Sequence, residues 1–268
     1  MPRPKFLVPA LVALPVLASV YAFGAQGWHR LILQLHGAPV AASSAKISEH
    51  ELEEIDSMSP QAQVERLLER AINHYQGAAE EISKRVDGWT GEFESTSKLD
   101  TMTNTAYFSS DLRVRAIALE IWLAQYGFHK TSEAADQLIA SLPSSGDRKY
   151  FVLSNLGILG NRGVEPEKVF DTVMLYVNDP DPAVRSGAIN ALGLLGTENT
   201  IQPLLRIFQT DASFDLRERA ACNLADSGML SRELRKQAIP ELKRMSEDPN
   251  LDARMKTWVG QALREIAQ

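Results

Sequence analysis

The residues of this chain that could do chemistry are few, and their spacing does not assemble a reactive site. Metal binding needs ligands at set spacings, such as two histidines one helical turn apart beside a glutamate. The five histidines and the single cysteine lack such spacing, and we expect surface histidines and a small apolar core cysteine. They are His29, His36, His50, His74, His129 and Cys222.

An acidic run after His50 is the one place where a cation could be held. Glu51, Glu53, Glu54 and Asp56 form it, but a run of charges between folded units is more typical of a solvated linker. The sequence also contains no nucleophile elbow and no phosphate-binding loop. We therefore expect no metal, no cofactor and no enzymatic activity.

A basic residue recurs five times with similar surroundings, and this recurrence predicts the architecture. The copies are Arg115, Lys149, Arg185, Arg217 and Lys256. Their spacings of about 34, 36, 32 and 39 residues are typical of a helical repeat protein. Seven residues after each basic position stands a large apolar residue, in order Trp122, Leu156, Leu192, Leu224 and Leu263.

Capping residues and glycines mark the start and end of a helix in each copy. Four residues before the basic position stands a side chain that can accept a hydrogen bond from the first helical turn. These residues are Asp111, Ser145, Asp181, Ser213 and Asp252. Glycines that could end the helix in a left-handed turn are Gly127, Gly160, Gly196 and Gly228.

A second helical stretch follows the first in each copy, most clearly at 200–208 and 237–245. We call the first helix of a copy the A helix and the second the B helix. A hairpin of two short helices cannot bury its own apolar stripe, so neighbouring hairpins must stack. The sequence therefore predicts an all-α solenoid of about five helical hairpins over residues 109–268.

The repeats resemble the HEAT-repeat family, in particular the short bacterial type called PBS-lyase HEAT-like. The A helix of that type has the pattern Asp-x-x-Val-Arg, then an alanine-rich stretch and Leu-Gly, which Asp181, Val184 and Arg185 open in the copy at 181–208. The resemblance covers residues 109–268 and is weakest at 145–160 and 252–266. It implies an α-solenoid that holds a ligand on its surface.

The amino terminus predicts targeting to a membrane. Arg3 and Lys5 precede residues 6–25, which carry no charge and are numerous enough to span a bilayer. Residues 1–30 are either a cleaved signal peptide, for which Val20 and Ala22 supply small residues near a cut site, or an uncleaved anchor. In both cases the positive charges stay inside, and the repeats are extracytoplasmic: periplasmic on an anchor, or secreted after cleavage.

Between this segment and the repeats we expect two further regions. Residues 31–58 are poor in apolar periodicity and predict a flexible linker. Residues 59–108 predict an N-terminal helical cap for the open end of the solenoid. Within the cap, 89–108 is expected to be a loop, with Trp89 as the one tryptophan suspected of exposure.

The net charge argues against binding to nucleic acid. The chain carries a formal charge of −6, and without Arg3, Lys5 and Arg30 its 25 remaining basic residues face 34 acidic ones. A protein with this excess of acidic residues is repelled by phosphate backbones unless it has a local basic stripe, and no such stripe is apparent in the sequence.

The basic column has two interpretations. In the resembling family, the Asp and Arg form a structural ladder in which the Arg of one repeat reaches the Asp or a helix end of its neighbour; binding through Arg115 or Arg185 is the alternative. The resemblance also implies that ligands lie against the B helices, on the concave face. The outward residues of that predicted binding strip are Met174, Leu175, Arg206, Ile207, Lys243 and Arg244.

These observations predict a non-catalytic scaffold or adaptor that holds a protein or peptide partner beside a membrane. The alternative is an enzyme or an enzyme subunit, because some bilin lyases share the resembling fold. A tightly bound pigment would favour that alternative. The sequence names neither the partner nor the pathway.

Overall fold

The computed structural model describes residues 45–109, 111–230 and 232–266. Within these ranges the regular structure is helical apart from one isolated bridge between Lys46 and Gln76. Thirteen α-helices are described: α1 Glu49–Asp56, α2 Pro60–Ile72, α3 Ala78–Arg85, α4 Ser97–Tyr107, α5 Leu112–Gln125, α6 Ser132–Ser141, α7 Lys149–Asn161, α8 Pro166–Met174, α9 Pro182–Leu195, α10 Ile201–Thr210, α11 Phe214–Leu230, α12 Arg232–Glu247 and α13 Ala253–Ile266.

The repeats form an all-α solenoid, with A helices α5, α7, α9, α11 and α13 and B helices α6, α8, α10 and α12. The described residues thus make four hairpins and a final A helix, where the sequence predicted about five hairpins. Helix α13 extends to the end of the described residues, which therefore include no B helix for the last copy.

Carboxylate caps start three of the A helices as predicted. Asp111 Oδ1 accepts from the Arg113 N–H at 2.9 Å, and Asp181 Oδ1 accepts from the Ala183 N–H at 2.8 Å. Asp252 caps α13 in the same way. The prediction for Ser145 is wrong, because its hydroxyl donates to the carbonyl of Ser141 instead.

Glycines end two of the A helices as predicted, at Gly127 with φ +79° and Gly196 with φ +56°. Both angles lie in the left-handed region that favours glycine. Gly160 and Gly228 instead lie within helices α7 and α11, so that part of the prediction is wrong. After α7 the left-handed turn is made by Gly163, at φ +85°.

The predicted apolar column lies in the core. Leu156 and Leu192 have no exposed surface and Leu224 is 1% exposed, while Trp122 and Leu263 are partly buried against the same core. One continuous apolar cluster extends from Leu112 in α5 to Ala262 in α13. Each repeat therefore completes the core of its neighbours, as expected for stacked hairpins.

Glycines bring the A helices unusually close together. A Cβ added to Gly157 in α7 would lie 2.6 Å from the carbonyl oxygen of Ala191 in α9. A Cβ added to Gly187 in α9 would lie 2.7 Å from the Cα of Tyr150 in α7. The helix backbones thus touch at positions where any side chain would hold them apart, which compensates the low helix propensity of glycine.

The row of A helices curls back on itself. Successive A helices pack together, and α5 also contacts α11, three repeats further along the row. Such a contact requires the row to bend towards the A helices, which therefore line the inner side of the bend. The expectation that the B helices line the concave face is wrong, because the glycine contacts shorten the row on the A side.

The cap consists of α1 to α4 and packs on α5. Two predictions fail here. Residues 31–44 of the predicted linker 31–58 lie outside the described residues, but its remaining part is not a flexible linker, since residues 49–56 form helix α1 and Ile47 and Ile55 are buried. Residues 97–107 form helix α4 rather than a loop, and Trp89 is only 6% exposed.

The predicted membrane or signal segment, residues 1–30 with Trp28, lies outside the described residues. Among the residues that are described, no helix is both long and apolar enough to cross a bilayer.

Candidate functional site

The structure places the predicted binding strip on the outer, B-helix side of the solenoid. Arg206, Lys243 and Arg244 have exposed side chains, and Leu175 is 78% exposed just after α8. Met174 is half-buried. Ile207 is only 7% exposed, because it contributes to the core between α10 and its neighbours.

Three of these six residues meet in one cleft of about 380 Å³. The cleft lies between the end of α8, the loop that follows it, and α10. Its apolar lining comes from Met174, Val177, Pro203 and Ile207, and Arg206 lies at its wall. The cleft was not predicted from the sequence, because the loop residue Val177 belongs to no repeat column.

The other three residues lie elsewhere. Leu175 and Lys243 do not line the cleft, and Arg244 borders a separate recess next to Met245 and Gln209. Arg244 also pairs with Glu241 in the same helix, so its charge is already balanced.

The wall of the cleft opposite α8 is fixed by an ion pair. The Arg185 guanidinium reaches Asp211, with 3.1 Å between Nε and Oδ2, and donates to the carbonyl of Asp179 at 2.9 Å. Both side chains are largely buried, 16% and 8% exposed. Asp211 is the C-cap residue of α10, the B helix of the same repeat, so this contact joins the two helices of one repeat rather than two neighbouring repeats, which the ladder interpretation expected.

Arg217 makes a comparable contact with the repeat before it. Its guanidinium donates to the carbonyls of Phe208 and Gln209 at 2.8 and 2.5 Å, near the end of α10. Cations at a helix C-terminus are stabilised by the free carbonyls and the helix dipole. Lys149 differs, since its Nζ lies 5.9 Å from the ring centroid of Tyr176.

Arg206 is the cation of the cleft that is available to a ligand. Within the described ranges its guanidinium forms no ion pair, and its side chain is exposed. The nearby Asp179 carboxylate accepts from the Asp181 N–H at 2.9 Å. The cleft can thus hold an apolar side chain next to a negatively charged group. No group of metal ligands occurs among the described residues.

A second surface, missed in the sequence, lies on the inner side of the bend. Aromatic rings from the end of α4, from α5 and from the start of α7 follow one another with centroids 5.0 to 6.4 Å apart. We call this surface the aromatic face; it consists of Tyr107, Phe108, Trp122, Tyr126 and Phe151. The one sequence signal for it was the tryptophan that replaces leucine in the apolar column.

Polar groups border the aromatic face. The Tyr107 hydroxyl donates to the Tyr150 hydroxyl at 3.1 Å. Burial, with the adjacent Tyr150, raises the pKa of Tyr107 well above its ordinary value, so it stays neutral at physiological pH. Arg219 of α11 and Arg115 of α5 lie near the same hydroxyl. Arg115 is paired with Asp226, whereas Arg219 forms no ion pair within the described part of the chain.

Comparison with known proteins identifies the repeats in the middle of the chain. Residues 149–225 match the family model described as HEAT repeats. This segment spans α7 to most of α11, so the resemblance to HEAT repeats is confirmed there. No curated protein matches the sequence.

Two solved structures of designed proteins are similar in part. One is a designed armadillo repeat protein, YIII(Dq.V1)4CPAF, in complex with the peptide (KR)4. It is 13% identical, with a TM-score of 0.37, and the match covers 78% of this chain and 100% of that one. The other is the designed armadillo repeat protein YIII(Dq)4CqI, which is 16% identical, with a TM-score of 0.29. The match covers 88% of this chain and 98% of that one.

Proposed function

We propose that this protein is a non-catalytic HEAT-repeat scaffold that binds a protein or peptide partner through the cleft between α8 and α10. The observation that supports it most directly is the composition of the cleft. Met174, Val177 and Ile207 supply an apolar floor, and Arg206 supplies an exposed cation without an ion pair. Specific protein interfaces combine an apolar centre with a few polar groups in this way.

The rigid setting of the cleft also supports a binding role. Arg185 and Asp211 hold the loop before α9 against the end of α10, so the walls of the cleft are preorganised. A preorganised site loses less conformational entropy when a partner binds. Lys243 extends the same strip to the next B helix and would contact a partner longer than the cleft.

The proposed place of action is the extracytoplasmic side of a membrane. The support is the uncharged stretch at 6–25 after Arg3 and Lys5, which suits an anchor or a signal peptide. The test is a fusion of alkaline phosphatase to the C-terminus, since that enzyme becomes active only after export. An inactive but intact fusion would contradict the proposed location, without bearing on the cleft.

The binding role is tested by charge reversal on the strip. The variant Arg206→Glu with Lys243→Glu should lose the partner that the wild-type protein captures from detergent-solubilised membranes, identified by mass spectrometry. Both side chains are exposed, so the melting temperature should change little. The matched control reverses two exposed cations of the N-terminal cap, Lys46→Glu with Lys84→Glu.

The control should retain the partner in full. If the strip variant also retains it, the cleft is not the binding site. If both variants lose it, capture depends on net charge alone, and the proposal again fails. A purified chain that carries a bound pigment would instead favour an enzymatic role.

A further inference from the structure

The aromatic face on the inner side of the bend has more solvent-exposed ring surface than side chains that only fill a core. Phe108 is 46% exposed and Tyr126 is 65% exposed, at the two ends of the array. Between them lie the half-buried rings of Trp122, Tyr107 and Phe151. Isolated exposed apolar residues are ordinary, but contiguous exposed apolar surface marks a place of interaction.

The residue types of this surface are those found at the centres of protein interfaces. Tyrosine, tryptophan, phenylalanine and arginine are enriched there, while lysine and carboxylates are depleted. The aromatic face combines all four, with Arg219 and Arg115 next to Tyr107. It therefore has the composition of a partner-binding surface.

The charges around the face indicate the chemistry of that partner. Arg115 is balanced by Asp226 of α11. Arg219 is half-buried, and within the described residues its guanidinium has no carboxylate in ion-pair range. Partial burial of an unpaired cation costs free energy, which an incoming carboxylate would offset.

We propose that the aromatic face binds an extended peptide segment that bears a carboxylate. The carboxylate pairs with the guanidinium of Arg219, and apolar side chains of the peptide pack on the rings of Trp122 and Phe151. Phe108 and Tyr126 close over the ends of the segment. This surface is separate from the cleft between α8 and α10, because it lies on the A-helix side.

The proposal is tested by selecting short random peptides displayed on phage against the immobilised full chain. Peptides that pair Asp or Glu with apolar residues should be enriched. Resynthesised peptides should change the tryptophan fluorescence on titration, since Trp122 lies within the surface. Replacing their carboxylates by amides should weaken binding at least about tenfold, as expected for loss of a charge-assisted pair.

Variants of the chain assign the binding to this face. Arg219→Gln should weaken the selected acidic peptides at least about tenfold, and Phe108→Ser with Tyr126→Ser should weaken them further. These side chains are exposed or half-buried, so the variants should fold. Arg206→Gln is the matched control on the other side of the solenoid and should bind like the wild type.

Several outcomes would overturn the inference. The selection could enrich no peptide, or only basic or neutral ones. Acidic peptides could bind Arg219→Gln as tightly as the wild type. A single-stranded oligonucleotide could bind this face better than any peptide, since bases also stack on aromatic rings beside arginine. Loss of binding with Arg206→Gln alone would instead assign the peptides to the cleft, which supports the proposed function and contradicts this one.

Discussion

Arg115 and Asp226 form an ion pair across the bend of the solenoid, although 111 residues separate them in the chain. Arg115 belongs to α5, the first A helix, and Asp226 belongs to α11, the fourth. The adjacent carboxylate raises the pKa of Arg115 although burial alone would lower it. In a quasi-linear array each repeat normally contacts only its neighbours, so this pair adds a long-range link.

Breaking this link should destabilise the whole repeat region. Asp226→Ala leaves Arg115 without its carboxylate partner. In the native pair the side chains of Arg115 and Asp226 are 23% and 11% exposed. We expect a loss of about 1 to 3 kcal/mol, between the values typical of exposed and buried pairs. Urea denaturation followed by circular dichroism measures it.

The control for that prediction is Lys236→Ala, which breaks the exposed pair with Glu233 and should cost under about 0.5 kcal/mol. Equal effects of the two substitutions would mean that α5 and α11 do not hold each other in solution. The double variant Arg115→Met with Asp226→Leu should recover part of the loss, because it leaves no unpaired charge.

A second buried carboxylate joins the cap to the repeats. Glu120 of α5 has a side chain only 1% exposed, and it pairs with Lys130 at 3.0 Å and with Arg162 at 2.6 Å. It also accepts from the Ser83 hydroxyl of the cap at 2.9 Å. Glu120→Gln keeps the size but leaves two cations unbalanced, so we expect a loss of about 3 kcal/mol.

Thermal melting with hydrogen exchange checks that prediction, since the amides of α3 should lose protection first. Glu133→Gln is the matched control on an exposed position. If Glu120→Gln melts like the wild type, water solvates Lys130 and Arg162 in place of the carboxylate. The cap would then be held by its apolar contacts alone.

The close approach of the A helices depends on glycine. Gly157→Ala would place a Cβ 2.6 Å from the Ala191 carbonyl oxygen and 2.8 Å from its Cα, both backbone atoms that cannot turn aside. We expect a loss of about 1 to 3 kcal/mol, although alanine has the higher helix propensity. Gly88→Ala is the control, because nothing lies within 4 Å of its added Cβ. A stabilised Gly157→Ala would contradict the observed packing.

The repeat architecture was predictable because its signals are local. The basic column, the carboxylate caps and the buried leucines all follow from residues within one helix and its first turn. Asp181 with Pro182 is an example, since the cap and the first helical residue stand side by side in the sequence. A stacked array of helical hairpins could thus be predicted from the sequence.

The side on which the solenoid bends was not predictable in this way. It depends on contacts such as that of Gly187 with Tyr150, which belong to different repeats. Helix α1 was missed because its apolar residues are few, with Ile55 buried against the cap while most of the helix is charged. The aromatic face was missed because Tyr107 and Phe151 come from different elements, which only the fold brings together.

Asp111, the N-cap residue of α5, should make the free energy of unfolding depend on pH. Burial would raise the pKa of Asp111, but its pairing with Arg113 outweighs burial, and the pKa is lowered. The folded state thus binds a proton less readily than the unfolded state, in which the pKa is about 3.9. The resulting stability is present above about pH 4 and is lost as the pH falls through the folded pKa.

Asp111→Asn tests this dependence, because asparagine can still cap the helix but carries no charge. We expect the wild type to be more stable than the variant near neutral pH, by up to about 1 kcal/mol since Arg113 is largely exposed. Urea midpoints measured from neutral pH to below pH 4 should converge as Asp111 becomes protonated. A difference that stayed constant, or that grew on acidification, would mean that the negative charge of Asp111 does not contribute to stability.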